Sequence, residues 1–161
     1  MSVHLRAYQP EDFETLFEID QACYDLEVAY SKRELQAYLK YPGADCVVAE
    51  IGGEIAGFCI SAHQDDRGYI VTIDVLEKFR REKVGTALIN ETERRLLGFG
   101  VKLVSLETAT DSPSAVGFWK KHGYRERGIR RNYYPNGRDA YAMTKTLHPE
   151  FRARRTIAKT P

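Results

Sequence analysis

Apolar positions along this chain recur at two periods, and the switches between them mark an alternating order of strands and helices. Val3 to Tyr8 has a short strand-like pattern, and Gln9-Pro10-Glu11-Asp12 supplies a turn with acidic residues suited to a helix N-terminus. Phe13, Leu16, Phe17, Asp20, Cys23 and Tyr24 follow at helical spacing with Glu14, Glu18 and Gln21 on another face, which predicts an amphipathic helix to about Tyr24. Ser31 starts a second, shorter helix through Leu39, with Glu34 three residues on to complete a capping box. From Asp45 the period becomes that of strands: Cys46 to Ile51, the turn Gly52-Gly53, and Glu54 to Ser61 form a hairpin, and Tyr69 to Val75 is a further β run. Val84 to Leu97 is helical, with Val84, Leu88, Thr92 and Leu96 on one stripe, and Leu103 to Glu107 is again a strand. Strand, helix, strand in that order make a crossover unit whose two strands lie parallel and adjacent. Asp111 or Ser112 with Pro113 opens a last helix that Gly123 closes after His122. Tyr124 to Arg130 and Asp139 to Leu147 then flank the turn Tyr134-Pro135-Asn136-Gly137. The order is mixed α/β (α+β), with antiparallel hairpins at both ends and one parallel crossover in the middle.

A chain of 161 residues suffices for one domain with a sizeable core, assigned to residues 1–148. Residues 149–161 form a basic tail, where Arg152, Arg154, Arg155 and Lys159 stand against Glu150 alone; a solvated terminus is favoured over a phosphate-contacting or partner-docking arm. A net charge of +1 gives no general pull toward nucleic acid or an anionic membrane, so neither is expected as a partner. No stretch approaches the roughly 18 apolar residues of a spanning helix, and Met1 to Asp12 holds no signal-peptide run. Cys23, Cys46 and Cys59 are widely spaced, without a C-x-x-C pair or zinc-type His spacing, so reduced thiols in a cytoplasmic protein are expected, and no metal.

Chemistry is concentrated where Ile73-Asp74-Val75 ends a strand, Leu76 to Lys83 form a charged loop, and Val84-Gly85-Thr86 open a helix. Helix N-termini present unpaired N–H groups and a positive dipole end, and a glycine there lets a ligand approach the backbone, so the segment suits a pyrophosphate.

This stretch, followed by Leu106-Glu107, by Ala115-Val116-Gly117-Phe118-Trp119-Lys120-Lys121-His122-Gly123-Tyr124 and by Arg130-Arg131-Asn132-Tyr133-Tyr134-Pro135-Asn136-Gly137-Arg138-Asp139-Ala140, resembles the GNAT acyltransferases from Val3 to Leu147. The C-terminal third looks most like the protein N-terminal acetyltransferases of the ribosomal-protein-alanine type. The resemblance implies a mostly antiparallel sheet splayed between its fourth and fifth strands and flanked by about four helices, with the pantetheine of acetyl-CoA between those strands. Ile73, Asp74 and Val75 would offer it backbone hydrogen bonds, and a backbone N–H near Val75 would stabilise the oxyanion. Arg81, Glu82, Lys83, Val84, Gly85 and Thr86 would wrap the pyrophosphate, with Arg80 opening the motif and Ser112 facing the pantetheine.

The implied activity is acetyl transfer from acetyl-CoA to a primary amine, a protein or peptide N-terminal α-amine, by direct attack with Glu107 as general base. Alternatives are the same chemistry on a small-molecule amine, or a non-catalytic acyl-CoA-binding module. Two positions depart from the family pattern: Lys83 replaces the first motif glycine, and Trp119 stands where a tyrosine commonly protonates the leaving thiolate. An indole cannot serve as that acid, so Tyr134 or Tyr133 would substitute, or Trp119 is a core aromatic. Tyr30, in the loop after the first helix, and Tyr133 would border the acceptor, and Asp25 and Glu27 of that loop would attract a cationic amine. The chain is expected to act as a monomer or homodimer.

Overall fold

The computed structural model describes residues 2–147, so the tail anticipated at 149–161 lies outside the described residues. The elements are β1 (His4–Ala7), α1 (Phe13–Cys23), α2 (Lys32–Lys40), β2 (Ala44–Ile51), β3 (Glu54–Gln64), β4 (Arg67–Val75), α3 (Val84–Gly98), β5 (Leu103–Ala109), α4 (Pro113–Lys121), β6 (Arg125–Arg130) and β7 (Ala140–Thr146). Short 3-10 turns occupy Pro10–Asp12 and Glu77–Glu82. The strands form one sheet in the order β1-β2-β3-β4-β5-β7-β6, antiparallel throughout except for the predicted parallel pair β4 and β5.

Local sequence explains most boundaries. Ser31 Oγ accepts the Glu34 N–H at 3.1 Å while the Glu34 carboxylate accepts the Ser31 N–H at 3.0 Å, the reciprocal box that starts α2. Gly52 and Gly53 both take positive φ, as a two-residue turn matching the strand twist requires. The stripe Val84, Leu88, Thr92 and Leu96 is buried along α3, against Ile70, Val104, Leu106, Trp119, Tyr124 and Met143. A second core, with Leu16, Ile19, Leu35, Val48, Phe58 and Ile60, lies under α1 and α2 on the opposite face. The β3–β4 hairpin is longer than the apolar pattern indicated, running through His63-Gln64 and Arg67-Gly68. Backbone pairing sustains those polar residues as strand, and Asp65 at φ +54° makes the turn.

The decisive irregularity is in β4. Ile60 of β3 faces Thr72 while the next residue, Ser61, faces Ile70, leaving Val71 as the extra residue of a bulge. Before the bulge Ile70 packs on the α3 side and Tyr69 points away from it; after it, Ile73 and Val75 take the α3 side. Parallel pairing with β5 runs through Arg67–Leu103, Gly68–Val104 and Tyr69–Ser105 and then ceases, so β4 and β5 part at the bulge.

Thr72 and Asp74 turn instead toward α1. Asp74 is 1% exposed and accepts the Thr72 hydroxyl at 2.6 Å, while Asp20 of α1 is fully buried and accepts the Tyr30 N–H at 2.7 Å. Burial first, then the neighbouring Asp20 carboxyl, pushes Asp74 well above the ordinary carboxylate range.

Two predictions follow from these packings. A carboxyl raised in the folded state binds more protons there than in the unfolded chain, so its stabilising contribution is lost as pH climbs from its unfolded value toward the folded one. Chemical denaturation of Asp74→Asn should therefore show a smaller loss of stability than the parent between pH 4 and neutrality. Lys83 precedes α3 at φ +61°, ψ +27°, a left-handed conformation costing a non-glycine residue about 1–2 kcal/mol. Set against the extra freedom of glycine in the unfolded chain, Lys83→Gly should stabilise by about 0.5–1 kcal/mol in the same assay.

Candidate functional site

Beyond Val71, β4 has β3 on one side only. The Asp74 carbonyl is turned to Gly57 of β3, whose missing side chain it occupies, so the alternate carbonyls of Val71, Ile73 and Val75 face the gap toward β5. Each is met there by a side chain. Tyr30 Oη approaches the Val71 carbonyl at 3.5 Å, Tyr24 Oη donates to that of Ile73 at 3.4 Å, and Arg80 Nε and Cys23 Sγ reach that of Val75 at 3.2 and 3.4 Å. Burial pushes the Cys23 thiol up to about 11, so it stays protonated at neutral pH. The structure thus separates the three strand residues singled out from sequence: Ile73 and Val75 present backbone to the gap, while Asp74 is turned to β3 and α1.

The loop from Glu77 to Thr86 also divides. Arg80, Arg81, Glu82 and Lys83 are exposed, whereas Val84 is fully buried in the α3-side core. The space over Gly85 is filled by Phe118 of α4, since a Cβ there would lie 3.0 Å from the ring. Glycine at this position therefore serves helix packing, in addition to any approach by a ligand. Thr86 Oγ1 lies 3.2 Å from His122 Nε2 at the end of α4. Ser112 stands at the N-cap of α4, but its hydroxyl makes no capping bond.

Glu107 projects from β5 onto the face away from α3, because Val104 and Leu106 point into the α3-side core. Its side chain is 9% exposed and fully engaged. Oε1 accepts the hydroxyls of Tyr69, in a short bond, and of Tyr133 at 3.1 Å, and Oε2 pairs with Arg130 Nε at 3.2 Å. The two phenol oxygens are 3.4 Å apart. Burial, then the adjoining carboxylate, raises the Tyr69 phenol. Tyr133 is raised as well, chiefly by burial. Tyr134 packs edge-on against Tyr133 with centroids 4.9 Å apart, and burial lifts its phenol to about 12.

Trp119 is 5% exposed and wedged between Phe118 and Tyr124 at centroid distances of 5.0 and 5.1 Å. It is a core aromatic. Tyr30 is fixed from three sides, by Asp20 on its N–H, Gln21 on its carbonyl and Tyr38 against its ring. Arg138 of the β6–β7 connection reaches Asp111 at 3.2 Å and Asp25 of the α1–α2 loop at 3.8 Å. Asp25, expected to draw in a cation, thus already shares one.

Sequence reasoning missed Tyr69 and Arg130. Tyr69 is 38 residues from Glu107, and only the parallel register that seats it beside Ser105 brings the phenol to the carboxylate. Arg130 was legible as part of a motif, but nothing in its spacing announced a partner on another strand.

Known proteins resemble this chain in sequence and in fold. The chain is 31% identical over 123 residues to an N-alpha-acetyltransferase of Sulfurisphaera tokodaii, a match covering 68% of this chain and 74% of that protein. Its fold matches that of Ard1 from Thermoplasma volcanium with a TM-score of 0.84 at 26% identity, over 92% of this chain and 99% of that one. It also matches the Escherichia coli ribosomal-protein-alanine N-acetyltransferase with a TM-score of 0.83 at 23% identity, over 91% and 94%. Among the described residues no helix is long and apolar enough to cross a membrane. Residues 13–124 match the acetyltransferase (GNAT) family, so the chain belongs to that family and is an acetyl-CoA-dependent N-acetyltransferase.

Proposed function

We propose that this N-acetyltransferase acts on the α-amine of a polypeptide, and that Glu107 receives the amine proton. The observation that carries the reading is a carboxylate held by two tyrosines and an arginine beside the gap where β4 and β5 part. The name of the Sulfurisphaera relative, an N-alpha-acetyltransferase, supports the same acceptor class.

The residues of the gap fit a long, flexible thioester. Ile73 and Val75 offer the pantetheine strand backbone that has no strand partner on the β5 side, a backbone N–H near Val75 polarises the thioester carbonyl, and Arg80, Arg81 and Lys83 bring positive charge to the diphosphate end. Val84, buried in the core, and Asp74, facing α1, act by holding this backbone in place; Thr86 and Ser112 line the α3 and α4 ends, and Glu82 belongs to the same loop. Acetyl-CoA supplies the activated acetyl group. Lys83 takes a left-handed conformation that glycine adopts without strain, and adds an ammonium.

An α-amine of ordinary pKa about 7.7–8.0 arrives largely protonated at neutral pH and must lose a proton before it attacks. With both Glu107 oxygens occupied, Tyr69 is the natural relay: its hydroxyl passes a proton to Oε1 as it accepts one from the ammonium. Arg130 pairs with Oε2 and fixes the position of the carboxylate. Tyr133 both holds Glu107 and, with Tyr30, walls the acceptor. Tyr134, protonated through neutral pH, is the donor toward the departing sulfur, a role Trp119 cannot take from the core. The domain at 1–148 carries this activity by itself.

Glu107→Gln should lower kcat by about 10²–10⁴ on a peptide bearing a free α-amine, with the acetyl-CoA Kd from calorimetry unchanged. Tyr69→Phe should lower kcat about 10–100-fold, also without loss of acetyl-CoA affinity, because the carboxylate remains but the relay is gone. Full turnover in Glu107→Gln would remove Glu107 as proton acceptor. Acetylation of a small amine but of no peptide would remove the polypeptide acceptor.

A further inference from the structure

On the face away from α3, Glu107 is covered by Tyr69, Tyr133 and Arg130, whose side chain reaches it from β6, and the rest of this half of the sheet opens toward solvent at β6. All six residues of β6 are exposed, and among the described residues no helix lies over β5, β7 and β6 on that face. Strand register sets out its surface in rows. One row runs Glu107, Ala142, Gly128 from β5 across β7 to β6. The next runs Tyr69, Ser105, Thr144, Arg125, and the one after it Arg67, Leu103, Thr146. Arg127 joins the second row, since its Nε donates to Thr144 Oγ1 at 2.9 Å. Glu126 turns to the opposite face, where it pairs with Lys120 of α4 at 3.0 Å.

The floor of these rows is therefore small and polar, and its margins are cationic. Among the described residues neither Arg125 nor Arg127 has a carboxylate partner; Arg67 has only the distant Asp66, at 3.9 Å, and is 71% exposed. A cavity of about 330 Å³ opens on the same face, lined by Tyr38, Tyr41, His63, Arg67, Tyr69 and Ser105. It adjoins Glu107 directly through Tyr69.

Distance fixes what could lie there. At about 3.3 Å per residue and 4.8 Å between strands, the arginine backbones stand roughly 10–14 Å from that of Glu107, about three to four residues of extended chain, and their side chains reach back over the second and third. Small side chains at Ser105, Ala142 and Gly128 leave room for a peptide backbone, and the arginines complement carboxylates. We infer that the acceptor is a polypeptide carrying Asp or Glu at its second to fourth residues, bound over β5, β7 and β6 and selected by Arg125, Arg127 and Arg67. The inference rests on the α-amine reading above and adds the charge of the sequence that follows the amine.

The test uses the full chain with acetyl-CoA and three peptides identical except for Glu, Ser or Lys at residues two to four behind a free N-terminal alanine. The expected order of kcat/KM is Glu over Ser over Lys, with about tenfold between the extremes at low ionic strength, carried by KM and shrinking in 0.5 M NaCl. The double variant Arg125→Glu, Arg127→Glu should reverse the order, and Arg67→Glu, on the opposite margin, should weaken it. Equal rates on all three peptides, or an order unchanged in the double variant folded as judged by circular dichroism, would overturn the charge selection and leave the α-amine acceptor standing. Transfer to none of the peptides, with transfer to a small amine, would overturn both.

Discussion

The chemistry proposed for this molecule depends on β4 keeping one neighbour while losing the other. A strand in the middle of a sheet has its backbone groups satisfied on both sides, and leaving them open inside a fold is costly unless something else meets them. The bulge at Val71 makes the separation from β5 possible by reversing which residues face which layer. The exposed carbonyls are then met by Tyr30, Tyr24, Cys23 and Arg80, all from elements that border the gap. Those side-chain bonds, at 3.2 to 3.5 Å, are long compared with ladder bonds, which suits groups that a ligand must displace.

The same bulge distributes chemistry between the two layers. Tyr69, just before it, shares a face with Glu107, whereas Ile73 and Val75, just after it, turn their side chains to the α3 core and their backbone to the gap. On the proposed reading, proton handling and thioester binding fall to adjacent stretches of one strand. Asp74 anchors the second stretch to α1, the helix that leads into the loop carrying Tyr30.

Much of this was legible in the chain because short-range rules determine it. The capping box at Ser31 and Glu34, the Gly52-Gly53 turn and the Val84, Leu88, Thr92, Leu96 stripe each draw on residues within one element or one turn, and each matches the structure. The crossover pair β4 and β5 followed from the strand, helix, strand order. The parts that escaped depend on register between distant strands. No local signal could tell that Tyr69 would meet Glu107, that Arg130 would pair with the same carboxylate, or that Gly85 in the first turn of α3 answers to a ring on α4. Trp119 was left open between two readings, and only its burial beside Phe118 and Tyr124 resolves it.

The contact between Gly85 and Phe118 carries a consequence for how the family can diversify. A methyl group at residue 85 would sit 3.0 Å from the ring, so drift at either position is conditional on the other. An alanine at 85 requires the ring to give by a few tenths of an ångström and a larger residue requires more, so what residue 85 tolerates depends on how far Phe118 can move. Substitutions at these two sites should therefore be coupled, a smaller residue at 118 of α4 easing a larger one at 85 of α3.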